Sequence, residues 1–105
     1  MEIISKPATA TDITSRLELP IRALEHIVFP PNKHRVQLPV TDSSGGPWIF
    51  SCCTRPQGHP KPCLRTSWLA FVQAKRLRVG DRISLRRLEG GVFINFINTR
   101  FHVVW

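Results

Sequence analysis

Short apolar segments with a two-residue period, separated by proline and glycine turns, constrain the fold of this chain most strongly. In RVQLPVTD, the apolar residues Val36, Leu38 and Val40 alternate with polar ones, as on a half-buried strand. The same period recurs in PWIFSCC and RISLRRL, and turn signals such as DSSGG and EGG separate the segments. A series of such strands predicts a mainly β domain.

Two segments have helical spacing instead. Pro20 is well placed for the first turn of IRALEHI, where apolar residues recur every third position. Thr66 or Ser67 can cap a second helix through WLAFVQAKR, with Trp68 and Phe71 on one face. Together with about seven short strands, these elements predict a small β-barrel plugged by two short α-helices.

The two ends of the chain complete the predicted domain. Residues 5–15, SKPATATDITS, are small and polar and predict an exposed arm or loop. RLEL predicts a short strand, and the apolar segments VFINFIN and RFHVVW predict the closing strands. At 105 residues, the chain is expected to form a single domain over residues 1–105.

The bulkiest apolar side chains of these segments are expected to fill the barrel, since a barrel of this size needs large side chains inside. Glycine and aspartate in the RVGD segment are instead predicted to supply turn chemistry. The predicted core residues are Trp48, Phe50, Trp68, Phe71, Val72, Ile83 and Leu85.

Charge narrows the class of function. Fifteen Lys and Arg residues against seven Asp and Glu give a formal net charge of +8 and a pI of about 10.8. Most of the cations are Arg, whose planar fork suits bidentate contact with phosphate or guanine. From Arg55 to Arg87, Asp81 is the single acid. Such a basic region is typical of nucleic-acid binding, and less often of binding to acidic lipid or protein.

Hydropathy, the N-terminal residues and the cysteine content indicate the cellular compartment. There is no apolar run of membrane-spanning length, so no contact with a membrane is predicted. The first residues lack the pattern of a signal peptide, and we expect an intracellular protein whose three cysteines are kept reduced.

The segment CCTRPQGHPKPC suggests a zinc site at first sight, but its spacing argues against one. Zinc requires four ligands in a closed tetrahedron. Cys52 and Cys53 are adjacent and would face opposite sides of a strand, so only one of them could bind. His59 and Cys63 would complete three ligands, with His102 as a distant reserve. We therefore predict no metal site and no cofactor.

Catalytic motifs are not evident in the sequence. It has no paired carboxylates, no GxSxG and no glycine loop for phosphate, and we predict that the protein is not an enzyme. A small basic nuclease that uses His34 or His59 is the enzymatic alternative. A protein-interaction module, whose basic face meets an acidic partner, is the other alternative.

Three blocks of sequence together resemble the plant B3 DNA-binding domain. They are RLELPIRALEHIVFP, VQLPVTDSSGGPWIF and SWLAFVQAKRLRVGDRISL, in the order that the family has, across roughly residues 6–87. In that family a strand that ends in proline leads into a short helix, and a Trp-led helix with FV runs into a basic segment and GD. The resemblance implies a mainly β fold, a seven-stranded open DNA-binding pseudobarrel with two helices.

The resemblance also implies a function, namely sequence-specific binding of double-stranded DNA by a plant transcription factor in the nucleus. Two arms would enter the major groove, whose pattern of donors and acceptors distinguishes all four base pairs. The N-terminal arm corresponds to residues 6–15 and the C-terminal arm to residues 54–65. Cations near the arms and after the second helix would meet phosphates.

The residues that we predict to contact DNA come from both arms and from the end of the second helix. A degenerate member that binds DNA without sequence preference, or binds an acidic protein partner, is the alternative function. The predicted contacts are Lys6, Thr9, Thr11, Ser15, Arg16, Arg55, Gln57, His59, Lys61, Arg65, Lys75, Arg76 and Arg78.

Overall fold

The computed structural model describes residues 1–54 and 61–97, and this part of the chain contains seven strands and two α-helices. The strands are β1 (Glu2–Pro7), β2 (Leu17–Glu18), β3 (Arg35–Asp42), β4 (Pro47–Cys53), β5 (Cys63–Arg65), β6 (Arg82–Leu88) and β7 (Gly91–Ile97). The helices are α1 (Ala10–Thr14) and α2 (Trp68–Lys75), with a 3₁₀ helix at Ile21–Glu25.

The strands form a single curled sheet in the order β1-β6-β7-β3-β4-β5-β2. β3 and β7 are parallel, with Val40 opposite Val92, and the other neighbouring strands are antiparallel. The prediction of a mainly β, seven-stranded open barrel with two helices is confirmed. The identities of the strands differ in part, because β1 was not predicted and the predicted strand RFHVVW lies outside the described residues.

The prediction of an exposed arm or loop over residues 5–15 is wrong for most of that segment. β1 extends to Pro7 and α1 occupies Ala10–Thr14. The two-residue period is hidden in β1 because a bulge between Glu2 and Ile4 shifts its register against β6. α1 is too short to show helical spacing, and a capping box in which Thr9 caps the helix stabilises it.

The two predicted helices both form, although their ends differ. α2 begins at Trp68 as predicted, but the Ser67 side chain makes no capping hydrogen bond, because Ser67 has a left-handed backbone with φ of 70°. Arg76 ends the helix and also has a left-handed backbone, and its N–H donates to the carbonyls of Val72 and Gln73. The first predicted helix is a 3₁₀ helix that is shorter than the segment IRALEHI.

An aromatic cluster forms the centre of the core. Phe71 packs edge-on against Trp48, with ring centroids 5.1 Å apart, and Phe50 packs edge-on against Trp68 at 5.6 Å. Of the predicted core residues, Trp48 is half-buried and all the others are buried. The Trp68 indole N–H also donates to the Asp12 carbonyl at 2.6 Å, which fastens α1 to α2.

Candidate nucleic-acid interface

The bases of the two predicted arms lie side by side, because β2 pairs with β5. Glu18, just after the N-terminal arm, is opposite Cys63 at the end of the C-terminal arm. The Leu19 N–H continues this contact by donating to the Pro62 carbonyl at 3.0 Å. Strand pairing therefore sets the spacing between two segments that are more than forty positions apart in the sequence.

Four residues in register form a row across this end of the sheet. Arg35 lies opposite Cys53, Cys53 opposite Cys63, and Cys63 opposite Glu18. Neighbouring residues on a strand point to opposite faces, and Cys52 is fully buried in the core. The row therefore lies on the outer face, where its side chains can meet a ligand.

A cleft of about 300 Å³ opens over this row and is strongly basic. Arg16, Arg35, Lys61 and Arg65 line it, together with a single carboxylate, that of Glu18. In the described part of the chain, the ion pairs involve Lys6 and Lys75, and none of the cleft cations. Since a concave surface lined by one sign of charge focuses the field, the cleft attracts anionic ligands.

Three of the cleft cations were predicted from the sequence, and Arg35 was missed. Arg16 belongs to the N-terminal side, and Lys61 and Arg65 to the C-terminal arm. Arg35 precedes the alternating segment and carries no motif, and its position beside Cys53 depends on the register between β3 and β4. Arg35 donates to the Thr66 hydroxyl at 3.4 Å, a weak contact that leaves most of its guanidinium available.

A buried carboxylate ties together β1, the start of α1 and β2. Asp12 is fully buried, and its carboxylate accepts the backbone N–H of Thr9 at 2.8 Å and of Glu18 at 3.1 Å. The Lys6 ammonium lies 2.8 Å from the same carboxylate. Burial by itself would raise the pKa of Asp12, but the hydrogen bonds from Lys6, Thr9 and Glu18 outweigh it, so the pKa is lowered. We call this arrangement the Asp12 clamp.

The clamp changes the interpretation of two predicted DNA contacts. Lys6 is held by Asp12 and also donates to the Glu18 carbonyl at 3.2 Å, so it braces the arm from within the fold. The Thr9 hydroxyl accepts the Asp12 N–H at 3.2 Å as the cap of α1. Ser15 and Arg16 follow α1 directly, and Arg16 lines the cleft.

The remaining predicted contacts on the arms are accounted for in part. Thr11 is half-buried on α1, and Lys61 is exposed two residues before β5. Arg55, Gln57 and His59 lie outside the described residues, and their DNA contacts stay predictions.

The predicted cations after α2 form a separate group. The Lys75 ammonium lies 3.0 Å from the Asp42 carboxylate, at the opposite end of β3 from Arg35. At about 3.3 Å per residue, the eight-residue strand separates the two ends by roughly 23 Å. Arg76 and Arg78 are exposed and lie one and three residues after Lys75. Tertiary structure thus does not bring these three cations to the bases of the arms.

The described residues contain no group of three or more His, Cys, Asp and Glu side chains that could hold a metal ion. His59 and His102, which were considered as zinc ligands, lie outside them. Burial raises the pKa of Cys52 to about 12, so this thiol stays protonated in the core. No helix within residues 1–54 and 61–97 is long and apolar enough to cross a membrane.

Comparison with known proteins agrees with this architecture. The chain is 36% identical to auxin response factor 5 of Arabidopsis thaliana over 96 residues, which are 84% of this chain and 10% of that protein. The chain therefore spans about a tenth of that relative. No family model matches the chain.

Solved structures with the same fold come from Arabidopsis. The FUS3–DNA complex matches with a TM-score of 0.78 and 24% identity, over 93% of this chain and 98% of that one. The complex of the transcription factor LEC2 with DNA matches with a TM-score of 0.73 and 18% identity, over 90% of each chain.

A seven-stranded curled sheet and two short helices define an open pseudobarrel of the B3 type. This chain is a plant B3-type domain, and its resemblance to the B3 DNA-binding domain is confirmed. The prediction that the domain is not an enzyme is confirmed by the same relatives.

Proposed function

We propose that this domain binds double-stranded DNA with sequence preference and that it serves a transcription factor in the nucleus. The observation that carries the proposal is the basic cleft at the bases of the arms, in which Arg16, Arg35, Lys61 and Arg65 face one concave surface. Two structural neighbours are complexes with DNA, and the relative in sequence is an auxin response factor, which supports the proposal.

The cleft and the arms have different parts in this proposal. The cleft cations neutralise phosphates and set the orientation of the duplex, which is a contribution independent of sequence. Residues of the C-terminal arm beyond the cleft, Arg55, Gln57 and His59, enter the major groove and read base edges there. Arg55 is the strongest candidate for a bidentate contact with guanine, since its planar fork matches the two acceptors of that base.

The Asp12 clamp supports the N-terminal side of the same interface. Asp12 accepts hydrogen bonds from Thr9 before α1 and from Glu18 after the arm, so both ends of the intervening segment are tied to one carboxylate. Ser15 and Arg16 are therefore presented from a fixed base. Preorganisation of this kind lowers the entropy cost of ordering the arm when DNA binds.

Binding-site selection from randomised duplexes tests the proposal, followed by titration with the selected duplex and a scrambled one. We expect the selected duplex to bind more tightly, and both affinities to fall with salt. Equal affinity for the two duplexes would contradict sequence preference, and would support the alternative of non-specific binding. If the domain binds an acidic peptide and no duplex, the DNA proposal is wrong.

Arg35→Ala and Arg86→Ala provide a matched pair of variants. Both residues are exposed arginines on strands, but Arg35 lines the cleft, whereas Arg86 lies on β6 opposite Phe93. We expect Arg35→Ala to weaken binding to all duplexes. The slope of log affinity against log salt concentration should become shallower by about 0.9, the contribution of one phosphate contact. Similar losses in both variants would mean that the cleft is not the binding surface.

A further inference from the structure

Cys53 and Cys63 form a pair of thiols that the DNA-binding proposal does not use. They are direct partners on the antiparallel strands β4 and β5, and both are free and half-buried. Directly opposed residues in such a pair have Cα atoms about 4.5–5.5 Å apart. Disulfides span Cα separations of roughly 4.4–6.8 Å, so the backbone already brings the two cysteines within reach of each other.

The surroundings of this pair favour thiol chemistry. Reactive cysteines are found at partly exposed, electropositive positions, whereas buried cysteines are inert. Both thiols line the basic cleft with Arg35 and Arg65, and a hydrogen bond with the Cys63 sulfur raises the pKa of the Arg65 guanidinium. Cys52 faces the core beside the pair and is fully buried, so it provides an internal unreactive control.

We propose that Cys53 and Cys63 are a reversible thiol-modification site that forms a disulfide by exchange with small disulfides such as oxidised glutathione, and that this oxidation and the binding of DNA oppose each other. The opposition between oxidation and DNA binding rests on the proposed function.

The exchange proceeds in two displacements. One protein thiol loses its proton to solvent, and its thiolate attacks a sulfur of oxidised glutathione. A mixed disulfide forms and one glutathione thiolate leaves. The second protein thiol, also deprotonated, then attacks the protein sulfur of the mixed disulfide and releases the second glutathione thiolate. Two protein thiols are oxidised to one disulfide, and one molecule of oxidised glutathione is reduced to two thiols.

Geometry connects this reaction to DNA. A disulfide requires Cβ atoms about 3.5–4.5 Å apart, whereas opposed residues on paired strands hold them at roughly 4.5–5.5 Å. Oxidation therefore draws β4 and β5 together at Cys53 and Cys63, next to the cleft cations. Bound DNA covers the cleft that the thiols line and requires the spacing of the reduced protein. DNA therefore stabilises the reduced pair, and by linkage the oxidised protein binds DNA less tightly by the same factor.

Counting thiols tests the disulfide itself. The purified domain is equilibrated with oxidised glutathione, unfolded and alkylated, and the adducts are counted by mass. We expect three alkylated cysteines before oxidation and one, Cys52, afterwards. Cys53→Ser and Cys63→Ser should stop at the mixed disulfide with glutathione. Three free thiols in the oxidised wild type, or an internal disulfide in either variant, would overturn the proposal.

The coupling to DNA is tested by repeating the glutathione titration with saturating selected duplex. We expect the duplex to shift the midpoint toward a more oxidising buffer, by about 5-fold or more in the equilibrium constant, and the oxidised domain to bind the duplex more weakly by the same factor. An unshifted midpoint overturns the opposition between oxidation and DNA. If the reduced domain binds no duplex, the proposed function fails, while the thiol count still decides whether the disulfide forms.

Discussion

The Lys75 ammonium lies 3.0 Å from the carboxylate of Asp42, a buried residue at the turn between β3 and β4. The same carboxylate accepts the Trp48 indole N–H at 2.9 Å and the backbone N–H groups of Ser44 and Gly46 at 2.9 and 2.8 Å. The hydrogen bond from Trp48, and then the one from Lys75, lowers the pKa of Asp42 well below its usual range. Lys75 therefore stabilises the fold through a contact that no local sequence pattern predicts.

Removing this cation should reduce stability. Lys75→Ala leaves the buried Asp42 carboxylate without one of its donors, and we expect it to lower the free energy of unfolding by about 1–3 kcal/mol. Urea denaturation measures the change, with Arg86→Ala as the control for removal of an exposed cation. A midpoint for Lys75→Ala that equals that of Arg86→Ala would mean that the ion pair contributes nothing measurable.

A methyl group at Gly46 should disturb the same carboxylate. A Cβ built there would lie 2.8 Å from the Asp42 Oδ2 atom, closer than real Cβ atoms approach a neighbour. Gly46→Ala should therefore displace Asp42 from its donors and destabilise the domain by about 1–3 kcal/mol. Gly90→Ala is the matched control, because the nearest atom to its Cβ, on Phe93, is at an ordinary 3.6 Å. Equal melting temperatures for the two variants would contradict the prediction.

Trp68 should be the most costly single residue to remove. It is buried between Phe50 and Phe71, and its indole N–H is bonded to the Asp12 carbonyl. Trp68→Ala should cost roughly 3–5 kcal/mol through the cavity that it leaves. Trp68→Phe retains most of the packing and loses the hydrogen bond, so it should cost less. An unchanged denaturation midpoint in Trp68→Ala would contradict the fold.

Acid should destabilise the domain through two of its buried carboxylates, those of Asp12 and Asp42. Asp12 and Asp42 have pKa values lowered from the ordinary 3.8, so the folded state binds fewer protons than the unfolded state. Their contribution to stability is complete above about pH 4 and is lost progressively as the pH falls further. Urea midpoints measured between pH 7 and pH 2 should decline in that range. Asp12→Asn should decline less steeply over the same range, and an identical slope would exclude Asp12 as a source.

Loss of Arg55 should change preference as well as affinity. If Arg55 reads a guanine, Arg55→Ala should cost about 1–3 kcal/mol on the selected duplex and relax the preference at one base position. Arg35→Ala, in contrast, should weaken selected and scrambled duplexes alike, because phosphate contacts carry no sequence information. Parallel titrations of both variants separate the two roles. Equal losses on both duplexes for Arg55→Ala would make it a phosphate contact.

Local sequence was sufficient to predict the strands and the helix that bury one face in the core. The alternation around Leu38, Phe50 and Leu85 predicted β3, β4 and β6, and the Trp-led segment predicted α2 from its start at Trp68. Such patterns are informative because the periods of strands and helices decide which side chains reach the core. The B3 resemblance supplied the arms, and three of the four cleft cations were among its predicted contacts.

Local sequence patterns did not predict the two elements at the start of the chain, β1 and α1. In β1, a bulge places both Ile3 and Ile4 in the core, and this removes the alternation that predicts a strand. α1 is a five-residue helix whose polar sequence resembles a loop, and its stability comes from the Thr9 cap and the buried Asp12.

The sequence by itself determined the fold class, most of the core and the basic character of this protein. Tertiary structure alone decided which cations act together. Strand register aligned Arg35 with Cys53, Cys63 and Glu18. Lys75 instead forms an ion pair with the buried Asp42. The physical reason is that periodicity is encoded by neighbours along the chain, whereas register and the pairing of buried charges depend on segments that meet only after the sheet has closed.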